Sequence, residues 1–161
     1  MPGAPQPLEI PRELLEEVYQ EARQSFPAEC CGWLSGKKDS QVVSAVRRCE
    51  NVQESNPLTI AADRGAERAY NFSVSDIYEL DQSLEGDNPA QVIYHSHPNG
   101  QAYFSPTDIQ VASPWGDGPA YPVQQLVVGV TEQRVVEAAL FAWSDEANEF
   151  VEIARYPGAE I

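Results

Sequence analysis

The chain carries two histidines, three cysteines and one methionine in 161 residues, and its only lysines are Lys37 and Lys38. Each scarcity removes a class of protein. Cys30, Cys31 and Cys49 supply neither the CxxC pairs of a cysteine-rich zinc site nor the even count of a disulfide framework, so they are expected reduced and buried. His95 and His97 are the only imidazoles, so the chain can build one metal site or one cysteine–histidine dyad, but not both. No segment approaches the ~20 apolar residues of a membrane-spanning helix. The opening MPGAPQP has neither the basic region nor the apolar run of an export signal, and a cytoplasmic location is the expectation. Basic residues number 10 against 25 acidic, for a formal charge of −15 and a pI near 4.3. That balance argues against nucleic acid, whose phosphates require a basic face. It suits a basic partner or a salty cytoplasm, although a plain solvated surface is the simpler reading. The HxE and PCxxC elements of zinc-dependent nucleoside deaminases are absent, which excludes that chemistry.

What is present describes one folded domain. Hydrophobic residues at 42% and charged residues at 22% are globular rather than disordered values, and the length suffices for a single core. Residues 8–155 are assigned to the domain, 1–7 to a flexible N-terminal tail and 156–161 to a C-terminal tail. Residues 11–26 read as a helix: Pro11 suits the first position, Leu14, Leu15, Val18, Ala22 and Phe26 recur at helical spacing, and Pro27 stops it. Glu13, Glu16, Glu17 and Glu21 are expected to face water. ECCGWLSG, a KKDS turn and QVVSAVRRC predict a hairpin with Glu29 at its mouth. Asn51 to Gly65 reads as a polar loop, Ala69 to Val74 as a strand, and a helix capped by Ser75 or Asp76 runs to about Leu84. A strand over Ala90 to His97, a short helix in SPTDIQVAS, a Gly/Pro loop PWGDGPAYP and three strands (QLVVGVT, VVEAALFAW, EFVEIAR) complete a mixed α/β fold, a mixed β-sheet flanked by helices.

The functional content is concentrated in VIYHSHPNGQAYFSPTD, residues 92–108. Histidines at i and i+2 of a strand project from one face, so His95 and His97 can address a single point while Ser96 points away. The serine, proline and aspartate of SPTD are fully explained as a helix N-terminal capping box. That geometry also delivers Asp108 to the edge where the histidine strand ends, so it could add an oxygen ligand. Two imidazoles, a carboxylate and an open fourth position are the set expected of a catalytic zinc site. Glu29 is either a solvated acid or the base that such a site needs. Ser105 is either a cap alone or also a donor to an oxyanion. Trp115 and Tyr121 in the Gly/Pro loop are either rim contacts for a partner or anchors for the loop.

Glu29, then His95-Ser96-His97-Pro98, seven residues from Pro98 to Phe104, Ser105 and Asp108 together resemble the JAMM motif of the MPN+ metallopeptidases. ECCGWLSG further resembles the short prokaryotic members. The resemblance spans about residues 8 to 155. It implies an MPN fold with cytidine-deaminase-like architecture, one Zn2+ on His95, His97 and Asp108, Glu29 as general acid/base and Ser105 as oxyanion stabiliser. The implied reaction is zinc-dependent hydrolysis of a peptide or isopeptide bond after the C-terminal tail of a ubiquitin-like or sulfur-carrier protein. A cell-wall or phage-tail-type peptidase and a noncatalytic zinc-containing interaction module are the rivals. The lack of long insertions weighs against recognition of linked ubiquitin.

Overall fold

The computed structural model describes residues 5–53 and 69–161. Among them run α1 (Arg12–Ser25), β1 (Cys31–Ser35), β2 (Ala45–Cys49), α2 (Val74–Ser83), β3 (Ala90–His97), α3 (Pro106–Ala112), β4 (Gln124–Val130), β5 (Val135–Ser144) and β6 (Glu149–Ala159). The strands form one mixed sheet in the order β2-β1-β3-β4-β5-β6. Every neighbouring pair is antiparallel except β3–β4. A parallel pair cannot be closed by a tight turn. The chain therefore leaves β3 just after His97, crosses through α3 and returns to begin β4 at Gln124. Departure points of this kind, at the carboxyl ends of strands, are where open sheets bind ligands.

Alternation along β3 assigns its side chains to two covered faces. Val92 and Tyr94 pack with Val18, Tyr19 and Ala22 of α1 and with Leu126 and Val128 of β4. Ile93 lies on the other side with Trp33, Tyr70, Phe72 and Leu80 of α2. By parity His95 and His97 continue that second side. With both faces covered, β3 is buried along almost its whole length, the pattern of an internal strand. Fully buried Leu34, Leu126 and Leu140 each contribute about 1.5–3 kcal/mol of apolar transfer to this core.

Several boundaries differ from the sequence reading. Pro11 is the N-cap of α1 rather than its first residue. Glu21 does not face water but is buried, because the Tyr94 hydroxyl donates to its carboxylate and the Arg48 guanidinium lies 3.9 Å away. The second hairpin strand is confined to Ala45–Cys49, since the Glu9 N–H donates to the Gln41 carbonyl and the Val43 N–H donates to the Glu9 carbonyl. Residues 69–73 form no strand; Tyr70 and Phe72 are instead inserted into the second core cluster. The α2 cap is Ser73, whose Oγ accepts the Asp76 N–H at 3.1 Å, ahead of the expected Ser75 or Asp76. Most of the loop expected from Asn51 to Gly65 lies outside the described residues.

The tails also change. Residues 156–159 are not tail but the end of β6, paired with β5 through Val135↔Ala159. They are held because the Tyr19 hydroxyl donates to the Pro157 carbonyl at 2.9 Å, and Arg23 donates to the Ile161 carbonyl just beyond. At the other end Gln6, within the expected N-terminal tail, accepts a 2.9 Å bond from the buried Gln124 amide, whose oxygen takes the Leu8 N–H. Residues 1–4 lie outside the described set.

Candidate metal centre

His95 and His97 bring their Nε2 atoms to 3.2 Å of each other. Asp108 closes the triangle, with Oδ1 3.0 Å from His95 Nε2 and Oδ2 3.0 Å from His97 Nε2. All three side chains are buried. Tetrahedral zinc with bonds of about 2.0–2.1 Å needs ligand atoms about 3.3 Å apart, so the spacing fits that ion. The charge fits as well. Burial opposes ionisation of Asp108, but the two imidazoles outweigh it and hold the carboxyl well below its ordinary range. Burial lowers the His95 pKa, favouring the neutral imidazole that a metal requires. Among the described residues this is the one group of three His, Cys, Asp or Glu side chains with ligand atoms within 4.8 Å of one another.

Local structure explains how each ligand arrives. Asp108 is the third residue of α3. Its N–H donates to Ser105 Oγ at 3.0 Å, while its own Oδ2 accepts the Ser105 N–H at 3.0 Å. One aspartate thus caps its helix and faces the histidines, so the two readings of SPTD are compatible. His97 Nδ1 bonds the Gln101 carbonyl at 3.2 Å, which makes Nδ1 the protonated nitrogen and turns the Nε2 lone pair inward. The Gly100–Gln101 peptide just before that carbonyl can pack so close to β4 because residue 129, opposite His97, is glycine. A Cβ there would sit 2.5 Å from the Gly100 carbonyl carbon and oxygen.

His95 is held differently. Among the described residues its Nδ1 has no hydrogen-bond partner. The ring stacks on Tyr70 instead, with centroids 4.6 Å apart and planes inclined by 23°. Tyr103 lies 4.7 Å from the His97 ring. Neither tyrosine was legible as a site residue, because an aromatic in a polar segment gives no signal of what it will stack on.

Glu29 is buried as well, which removes the reading as a solvated acid. Cys31 pairs with His95 on the antiparallel β1–β3 ladder, and just beyond it the Ser96 N–H donates to the Cys30 carbonyl. Glu29 precedes Cys31 by two residues, so on this antiparallel ladder it enters at the end of β3 that carries both histidines. Ser96 points away from that face, and its Oγ accepts the Cys30 N–H at 2.8 Å. Ser105 is half-buried and acts as the α3 cap, an acceptor role that leaves its O–H free to donate.

The cysteines are free, and burial raises the thiol pKa of Cys30 and of Cys31, so neither is poised as a nucleophile. In the Gly/Pro loop Trp115 is 82% exposed, whereas Tyr121 packs against the second core cluster.

Fold and site together define a mixed α/β domain with a buried two-histidine, one-aspartate ligand set at the end of an internal strand. A family model describing prokaryotic homologs of the JAB domain matches residues 11–145, and the chain belongs to that family. Among solved structures, a protein from Desulfitobacterium hafniense is 22% identical with a TM-score of 0.61, over 89% of this chain and 88% of its own. One from Salinibacter ruber is 21% identical with a TM-score of 0.56, over 89% and 87%. A JAB1/MPN domain protein from Archaeoglobus fulgidus is 17% identical with a TM-score of 0.48, over 91% and 96%. No curated protein matches the chain in sequence.

Proposed function

We propose that this chain is a zinc-dependent peptidase or isopeptidase, acting on an amide bond after the extended C-terminal tail of a ubiquitin-like or sulfur-carrier protein. The observation that carries this reading is the ligand triangle of His95, His97 and Asp108, with a buried carboxylate, Glu29, just ahead of the strand that pairs with the histidine strand. A zinc ion held there would polarise a carbonyl and lower the pKa of a bound water toward ~7. Glu29 takes the proton from the attacking water and returns it to the departing amine. Ser105, at the edge of the site with its O–H free, donates to the carbonyl oxygen as negative charge builds on it. Burial favours the neutral form of the His95 imidazole, and the Gln101 bond orients the His97 ring.

The exposed Trp115, one loop beyond α3, is assigned to the body of the carrier protein, and the site itself to its glycine-rich tail. The test is incubation of the zinc-loaded protein with ubiquitin-like carriers extended beyond their terminal glycines, read by intact mass. Release of the extension by the natural protein but not by Glu29→Gln supports the reading. Full zinc occupancy with every carrier left intact would replace it with the noncatalytic module.

A further inference from the structure

Four hydrogen bonds converge on the side chain of Asn51. Its Nδ2 donates to the Glu29 carbonyl at 2.9 Å and to the Ala69 carbonyl at 3.1 Å. Its Oδ1 accepts the Gln53 N–H and the Asn71 N–H, each at 3.1 Å. Two carbonyls on one side and two N–H groups on the other fix which end of the amide is oxygen. A fifth bond, from the Val52 N–H to the Asn71 carbonyl at 2.9 Å, ties the segment of Asn51 itself to the Tyr70 stretch through the backbone. One primary amide therefore clasps two pieces of chain that share no strand. One carries Glu29, and the other carries Tyr70 between Ala69 and Asn71.

Both pieces bear on the metal centre. Tyr70 is the stacking partner of His95, the imidazole whose Nδ1 has no hydrogen-bond partner among the described residues. Ligand histidines are ordinarily aimed by a bond to the second ring nitrogen, and here stacking takes over that task. The position of Tyr70 thus sets the position of the ring, and residues 69–73 belong to no strand that would set it independently. Glu29 likewise precedes the first ladder residue of β1, and its backbone carbonyl is held by Asn51.

We propose that Asn51 is a positioning residue for the centre, holding Glu29 at the histidine end of β3 and, through Tyr70, holding the His95 ring. The part concerning Glu29 rests on the peptidase reading above, whereas the part concerning His95 does not. Asn51→Asp keeps the size and both acceptor contacts but loses the donations to Glu29 and Ala69. Asn51→Ala loses all four. The metal ligands themselves lie on β3 and α3, so zinc binding persists in both variants.

The chain's two histidines give two imidazole spin systems in the NMR spectrum of the metal-free protein. Tyr70→Leu removes the stacked ring and so identifies the His95 signals by their displacement. Asn51→Asp and Asn51→Ala are expected to move those same signals in the same direction and to leave those of His97 in place. On a cleavable carrier, kcat should fall on the order of 10²-fold with KM unchanged, the penalty of a misplaced catalytic group. If both Asn51 variants keep the natural histidine spectrum while Tyr70→Leu does not, the proposal fails. It fails equally if both variants unfold, since Asn51 would then support the fold at large. Should Glu29→Gln cleave as well as the natural protein, the peptidase reading falls, and the histidine spectrum still decides whether Asn51 orders Tyr70.

Discussion

At the scale of single residues, the two imidazoles are fixed by different forces and should respond to different changes. A hydrogen bond to the Gln101 carbonyl orients His97, whereas burial and stacking orient His95. Removing a ligand atom is more severe than disturbing either. His97→Ala or Asp108→Ala should lower zinc content from one per chain toward none, measured by metal analysis after dialysis. Undiminished zinc in His97→Ala would overturn the ligand assignment. Zinc affinity should weaken as pH falls, because protons compete for the imidazoles; burial lowers the His95 pKa, so its competition sets in below the ordinary 6.5. Glu29→Gln retains the shape but cannot accept a proton. It should keep zinc while turnover falls about 10²- to 10⁴-fold, and a loss below about tenfold would count against the acid/base role.

At the scale of secondary-structure elements, α3 and α1 offer contrasting tests. Ser105→Ala removes the acceptor of the Asp108 N–H and should cost about 1 kcal/mol of stability by denaturant unfolding. A further loss in turnover, on the order of 10²-fold, would mark the oxyanion role. A loss of stability with no change in rate would leave the cap alone. Glu21 on α1 shows the opposite tendency, because burial raises its pKa above the ordinary 4.5 despite the Tyr94 bond and the nearby Arg48. Its protonated form suits the folded state, so that contribution is complete below pH 4.5 and is lost as the pH rises through the raised value. Glu21→Gln should therefore gain stability over the natural protein at pH 7 and lose that advantage near pH 4, measured by melting at both.

These elements also show what the sequence could reveal. The capping box, the period-two pair of histidines and the apolar runs of β3, β4 and β5 depend on neighbours within a few residues, and each was legible. Glu21 was misread because its partners, Tyr94 and Arg48, lie far along the chain. Tyr70 and Asn51 escaped for the same reason. A polar or aromatic residue in an irregular segment has no period, and only the tertiary contact reveals its task. The end of β6, assigned to the tail, includes Pro157 and Gly158, and β6 is an edge strand where a proline needs no partner on its outer side.

At the scale of the whole molecule, the −15 charge decides how salt acts. Arg47 pairs with the buried Asp76 and with Glu79, and Arg155 with Glu137 and Glu152, and salt weakens such pairs only slightly. Repulsion among the remaining acidic groups is relieved more, since screening acts over about 10 Å at 0.1 M. The melting temperature should rise from dilute buffer to molar KCl. A flat response would remove the suggestion that the surface is adapted to salt.

The strand register also orders events in time. The β5–β6 hairpin pairs Ser144 with Glu149 and can close from residues already near each other. The centre needs Cys31 to meet His95 and Val92 to meet Gln124 across long stretches of chain, and such distant closures are slow. On refolding from denaturant, the capacity to take zinc from a fluorescent chelator should therefore appear after the hairpin has formed. A nascent copy would pass through an interval in which it is compact yet unable to hold a metal ion.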